Sequence, residues 1–177
     1  MAAIFNAVVN LAPYHVMAYG TLLGTELYQS FVMTKICYQA LPMAQFTTLQ
    51  KKVFPAYFRI QVGLIALTAA TFPTKSIVSL ARAGWLFWVP LGTNFGMAAL
   101  NWLVYGPRTQ DMMIKRSHQE TIDGRKYNDE ENTSEDMQRI KRDFSRNHAM
   151  SIHLNLIAMG ATILYGFALA SKIRFVL

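Results

Sequence analysis

GTLLGTELYQS, residues 20–30, places one carboxylate, that of Glu26, inside a long run of apolar residues. The other nine acidic residues of the chain all fall within residues 111–143. A carboxylate in an apolar helix is costly unless it is protonated, paired or facing a wet cavity. Glu26 therefore predicts a polar interior inside an otherwise apolar fold.

The composition favours a membrane protein. Hydrophobic residues make up 53% of the 177-residue chain and charged residues 15%, against roughly 25% charged residues in soluble domains. The net charge is +7, and the basic excess lies at the edges of the apolar runs. That distribution suits a protein whose partner is the lipid bilayer, and no basic stripe supports a nucleic-acid partner.

Four segments reach the length of about 20 mainly apolar residues that a spanning helix needs. We predict spans at about 13–37, 54–72, 83–105 and 149–170, with a polar loop over 106–147. The predicted fold is all-α, a polytopic membrane protein whose four transmembrane helices form a bundle in one domain over 1–177. Within the loop, Thr133 or Ser134 can cap a short helix that runs into the fourth span.

An even number of spans puts both termini on the same side of the membrane. The side that carries loops 38–53 and 106–147 then has thirteen Lys and Arg residues against four on the other side. This imbalance predicts that both loops are cytosolic and that the termini lie on the opposite side. The sequon NTS at 132–134 would then stay unglycosylated.

Helical spacing gathers the polar residues of each span into one stripe. Four such stripes predict an inward-facing polar interior formed by Glu26, Gln61, Asn94, Asn101, His148, Ser151 and Asn155. By position along the spans, Glu26 and Asn94 lie near the midplane, with Gln61 and Thr162 within about two residues of it. The same residues are also consistent with ordinary interhelical packing, in which polar contacts contribute about 0.6 kcal/mol each.

Gly20 and Gly24 form a GxxxG pair on a different face of the first span. Small residues at this spacing let another helix approach closely, so we predict a packing face there. The first span therefore has one face for packing and one polar face.

Motifs for catalysis and cofactor binding are absent from the sequence. It has no glycine-rich phosphate loop, no nucleophile elbow and no carboxylate dyad, and His148 and His153 are five residues apart, which does not suit a metal pair. Cys37 is the single cysteine, so an internal disulfide is excluded. We expect a protein that is not an enzyme, with no catalytic residues, no metal and no cofactor.

The chain resembles the transmembrane protein 205-like family in the spacing of His15, Gly20, Gly24 and Phe31 and in three segments: LPMAQFTTLQKKVFPAYF at 41–58, NWLVYGPRTQDMM at 101–113 and KRDFSRNHAMSIHLNL at 141–156. The resemblance spans about residues 15–170, with one departure at Ala149, where a glycine is expected after His148. It implies four spans, an endomembrane location such as the endoplasmic reticulum, with a mitochondrial membrane as an alternative, and an activity that is poorly defined. It also implies that 41–52 packs under His148 and Asn101 to make a polar site at the cytosolic end of the bundle.

Three functions are compatible with these features. The first is a small binding or scaffold subunit of a larger membrane assembly, with other membrane protein subunits as partners. The second is a transporter or a proton- or ion-coupled carrier that uses Glu26 in the polar interior. The third, a haem- or metal-binding redox protein, would use His15 or His148.

Overall fold

The computed structural model describes residues 10–73, 78, 82, 84–127, 129 and 133–172. These residues are mostly helical and contain no strand, and they form four long helices. Helix α1 consists of Leu11–Leu27, a π-helical segment Tyr28–Met33, and Thr34–Ala40. Helix α2 is Met43–Ala70, helix α3 consists of Trp85–Leu100, a π-helical segment Asn101–Tyr105, and Gly106–Asp123, and helix α4 is Glu135–Ala170.

Proline chemistry sets the turn between α1 and α2. Leu41 is extended, as a residue before proline prefers, and Pro42 stands at the N-cap of α2. The predicted loop 38–53 is therefore wrong, because all of it except Leu41 and Pro42 is helical. The second span was predicted over 54–72, with Pro55 in its first turn, whereas α2 begins at Met43 and contains Pro55 in its interior.

The missing N–H of Pro55 leaves the carbonyl of Lys51 without its helical donor. The Gln110 side chain of α3 donates a hydrogen bond to this carbonyl at 3.3 Å. The proline is thus accommodated by a contact between two helices, which ties the polar end of α2 to α3.

The predicted polar loop over 106–147 is also wrong for most of its length. Residues Gly106–Asp123 continue α3, and α4 begins at Glu135. The segment is polar because it is an amphipathic helix at the end of the bundle, not because it lacks regular structure. Gly124 ends α3 in the left-handed conformation, with φ +62°.

The predicted cap of the fourth helix is confirmed at Ser134. Its hydroxyl oxygen accepts a hydrogen bond from the Met137 N–H at 3.2 Å, and Glu135 and Asp136 occupy the first turn. The same hydroxyl donates to Asp123 at 2.8 Å, which links the end of α3 to the start of α4.

Large apolar side chains cover the outside of the bundle, whereas several polar side chains are buried. Met17, Trp85 and Phe167 are each about two-thirds exposed or more, at 70%, 66% and 73%. Exposed apolar surface of this extent is unusual for a soluble monomer. By length and composition, α2 and α4 are each able to cross a membrane.

Gly20 and Gly24 lie on this exposed surface. A Cβ atom at either position would meet nothing within 4 Å, so none of the described helices packs against them. The predicted packing face therefore takes no part in the described bundle and stays a prediction for another subunit, since the opposite face of α1 carries the buried residues Leu22 and Glu26.

Two parts of the predicted topology lie outside the described residues: the two termini and Asn132 of the sequon.

Gly106 is required by the π-helical segment of α3. A Cβ at this position would lie 2.5 Å from the Asn101 carbonyl oxygen, so Gly106→Ala forces the backbone to shift. We expect the free energy of unfolding in detergent to fall by about 1–3 kcal/mol. Gly96→Ala is the matched control in the same helix, because its Cβ meets nothing within 4 Å. Equal stability of the two variants in thermal denaturation would contradict this assignment.

Candidate functional site

One polar side chain from each helix meets at the centre of the bundle. Glu26 of α1 is 0% exposed, and its Oε1 accepts hydrogen bonds from Gln61 Nε2 of α2 at 2.8 Å and from Asn94 Nδ2 of α3 at 3.1 Å. Asn94 also donates to the hydroxyl of Thr162 on α4. We call Glu26, Gln61, Asn94 and Thr162 the central network.

The central network is rich in acceptors. Glu26 Oε2, Gln61 Oε1 and Asn94 Oδ1 are buried without a hydrogen-bond partner. Among the described residues, no Lys, Arg or His pairs with the Glu26 carboxylate. Glu26, Asn94 and Gln61, which were predicted at similar depths of one polar interior, are joined by hydrogen bonds in the structure, and these bonds connect the helices rather than lining an open space.

A second polar cluster lies at one end of the bundle around His15, which is 1% exposed. Its Nδ1 faces the Thr68 carbonyl oxygen at 2.9 Å and must therefore carry the hydrogen. Its Nε2 lies 2.7 Å from the Tyr165 hydroxyl, which donates to it. Both ring nitrogens make hydrogen bonds, so His15 ties α1 to α2 and α4.

Between the central network and the other end of the bundle, polar side chains again link helices. Tyr57 donates to Asn155 Oδ1 at 2.8 Å, and Asn155 Nδ2 donates to the Ser30 hydroxyl at 2.9 Å. Asn101 Nδ2 donates to the Ser151 carbonyl oxygen at 3.1 Å. Three predicted interior residues therefore act here as contacts between helices.

Beyond these contacts, a cavity of about 590 Å³ opens among all four helices. We refer to it as the cavity. Its wall includes Ser30 and Phe31 of α1, Gln50 of α2, Trp102 of α3 and Asn155 of α4. Both π-helical segments contribute residues to the wall, which accords with the frequent occurrence of such segments at functional sites.

The cavity combines an apolar wall with a few polar groups. Gln50 is 5% exposed, and neither its Nε2 nor its Oε1 has a hydrogen-bond partner. The hydroxyl of Thr109 is also buried without a partner. Lys51 and Arg59 line the cavity, and no acid does so among the described residues. Such a pocket, mostly apolar with few fixed polar groups, is typical of small-molecule sites.

The predicted interior residues divide between two places. Glu26, Gln61 and Asn94 form the central network, whereas His148, Ser151 and Asn155 line the cavity. The ring of His148 stacks on Phe144, with centroids 5.3 Å apart. The expected site formed by 41–52 beneath His148 is supported in part, since Gln50 and Lys51 line the same cavity.

Sequence reasoning missed Gln50, Thr109 and Tyr165 as site residues. Gln50 and Thr109 fell in segments interpreted as loops, although both lie in the motifs that carry the family resemblance. Extending helical spacing through 43–53 and 106–123 would have placed them on the inner faces.

The profile of a domain of unknown function, DUF4149, matches residues 17–118. The chain belongs to the DUF4149 family. The DUF4149 match includes Glu26, Gln61 and Asn94 of the central network and Gln50 and Thr109 of the cavity.

A relative covers the whole bundle. Xanthocillin biosynthesis cluster protein D of Aspergillus fumigatus is 50% identical over 173 residues, which is 98% of this chain and 97% of the relative. No solved structure matches the chain. The resemblance to the transmembrane protein 205-like family stays a prediction beside the DUF4149 membership.

The central network predicts different effects of two substitutions at Glu26. Glu26→Gln keeps an acceptor oxygen for Gln61 and Asn94, and its new amide can donate to their unpartnered oxygens. Glu26→Leu instead removes the acceptor of the Gln61 amide and one of the two acceptors of the Asn94 amide, which we expect to lower the free energy of unfolding by about 1–3 kcal/mol.

Thermal denaturation in detergent compares these variants with wild type. The Gln variant should unfold within a few degrees of wild type, and the Leu variant clearly below both. If Gln proves as damaging as Leu, the carboxylate has a role that its hydrogen bonds do not describe.

Proposed function

We propose that this chain is an integral membrane protein whose four helices all cross the bilayer. The apolar outer surface on all four helices supports this proposal, together with the spanning length of α2 and α4. The α-helical parts of α1 and α3 reach only 17 and 16 residues before their π-helical segments. Each becomes long enough to span once the helix is followed through that segment.

The proposed orientation puts the cavity at the cytosolic end. Lys51 and Arg59 lie at the cavity, and the basic residues of 106–147 lie at or beyond this end of the bundle. Positive charge of this kind favours the cytosolic side of a membrane. An endomembrane, such as the endoplasmic reticulum, is the proposed location.

We infer that the protein binds a small molecule in the cavity and acts as a non-enzymatic binding subunit. The observation that carries this inference is the cavity itself. Residues of all four helices line it, and the buried Gln50 amide in its wall has no hydrogen-bond partner. A buried amide without hydrogen bonds is costly, and a bound ligand would supply its partners.

The name of the relative supports an accessory role in a biosynthetic pathway. Xanthocillin biosynthesis cluster protein D is assigned by name to a biosynthetic cluster. By analogy, we propose that this chain serves a biosynthetic pathway at a membrane by holding an apolar intermediate, product or lipid for other proteins.

A second candidate function is assembly with other membrane subunits. The uncovered GxxxG face of Gly20 and Gly24 favours it, because helices associate in lipid through such faces. The carrier hypothesis has less support, since Glu26 is fully buried and does not line the cavity.

Filling the cavity tests the proposed binding function. Thr109→Phe puts a large side chain into the cavity, whereas Thr121→Phe puts it on the exposed surface of the same helix. We expect small molecules extracted from protein purified in mild detergent to fall about tenfold per protein in Thr109→Phe only, as measured by mass spectrometry.

Equal amounts of bound molecules in Thr109→Phe and Thr121→Phe would contradict cavity binding.

The same purification tests the assembly function through the proteins that remain bound to the chain. Loss of co-purifying proteins from Gly20→Leu, with bound molecules unchanged, would favour the assembly subunit.

A further inference from the structure

We propose that the ligand of the cavity is a single-chain amphiphile with an anionic oxygen-rich head group, a carboxylate or a phosphate. This inference rests on the proposed binding function and specifies the chemistry of its ligand. It follows from how the polar, charged and apolar groups are distributed along the cavity.

The unpartnered polar groups mark where the head group binds. Gln50 lines the cavity with only 5% of its surface exposed. Its amide NH2 group donates no hydrogen bond, and its side-chain carbonyl oxygen accepts none. The Thr109 hydroxyl lies in the same wall, buried and unpartnered. Each of these two side chains can donate a hydrogen bond to an oxygen acceptor of a bound molecule.

The charges of the wall select the sign of the head group. Lys51 and Arg59 are the cationic lining residues, and neither pairs with an acid among the described residues. Lys51 adjoins Gln50 on α2, whereas Arg59 lies about 3 Å along the helix from Gln61, with its Nε donating to the Pro55 carbonyl oxygen at 3.1 Å. Two cations without acids favour an anion in surroundings of low polarity.

The depth of each group orients the ligand. At about 1.5 Å per residue, Gln50 lies about 16 Å along α2 from Gln61 of the central network. Trp102 lies about 12 Å along α3 from Asn94, and Phe31 only about 8 Å along α1 from Glu26. The unpartnered polar groups and Lys51 therefore lie toward the outer end of the cavity, and its aromatic residues lie nearer the middle of the bilayer, as the head and chain of a lipid are arranged.

The apolar part of the cavity also opens sideways. Phe31 is 56% exposed and Leu156 49%, so their outer edges face the surface that lipid would cover. An alkyl chain could leave the cavity through this opening without crossing polar groups. A volume of about 590 Å³ lies within the range of about 300–1,000 Å³ for small-molecule pockets and suits one chain better than a two-chain phospholipid.

Quenching of Trp102 fluorescence tests this inference directly. Trp85→Phe and Trp88→Phe leave Trp102 as the one tryptophan in the chain. This protein, in nanodiscs of phosphatidylcholine, is titrated with a spin-labelled stearyl chain that carries one of four heads: carboxylate, phosphate, methyl ester or trimethylammonium. We expect saturable quenching by the two anions at concentrations at least about tenfold below those for the ester and the ammonium.

Two substitutions, each with a matched control, locate the head group. Lys51→Gln and Gln50→Leu should each raise the half-quenching concentration of the carboxylate probe about tenfold. Lys52→Gln and Gln45→Leu change the same residue types at exposed positions of α2 and should leave it within about twofold. Lys51→Gln keeps the test valid if Gln50→Leu does not fold.

The probes also separate the possible failures. Equal quenching by all four heads would overturn the anionic ligand and leave cavity binding intact. A difference between carboxylate and phosphate identifies which anion the site takes. If none of the four probes gives saturable quenching, the ligand is not a single-chain amphiphile. The comparison of molecules retained by Thr121→Phe with those retained by Thr109→Phe would still decide whether the cavity binds a ligand.

Discussion

A carboxylate buried among apolar helices constrains the rest of this fold. Glu26 has no contact with solvent and no cationic partner among the described residues, so its hydrogen bonds must come from neighbouring helices. Gln61 and Asn94 supply them, and Asn94 extends the contact to Thr162. These bonds require one residue of each helix to lie at the same level, which fixes the relative registers of all four.

That register separates a closed half of the bundle from an open half. On one side of Glu26, the interior is closed by Leu22, Phe87 and Tyr165 of the apolar core and by the hydrogen bonds of His15. On the other side, the two π-helical segments lie in the wall of a cavity. The closed half supplies rigidity, and the open half has the space and the unsatisfied polar groups that a ligand needs.

The sequence predicts the central network better than the cavity. Helical spacing identified Glu26, Gln61 and Asn94 as one interior, because each is a polar exception in an apolar segment. It did not identify Gln50 or Thr109, because their segments are polar and lie outside the apolar stretches of membrane-spanning length. Such segments were interpreted as loops. Nor does a sequence reveal a π-helical segment, which depends on contacts between helices rather than on local propensity.

Cysteine accessibility measures this division most directly. In a Cys37→Ser background, Ser151→Cys places a thiol in the cavity wall and Thr162→Cys places one in the central network, both on α4. A small charged methanethiosulfonate applied to protein in nanodiscs should label position 151 at least about tenfold faster than position 162, because burial excludes the reagent. Equal labelling rates would show a continuous aqueous path through the bundle and contradict a sealed centre.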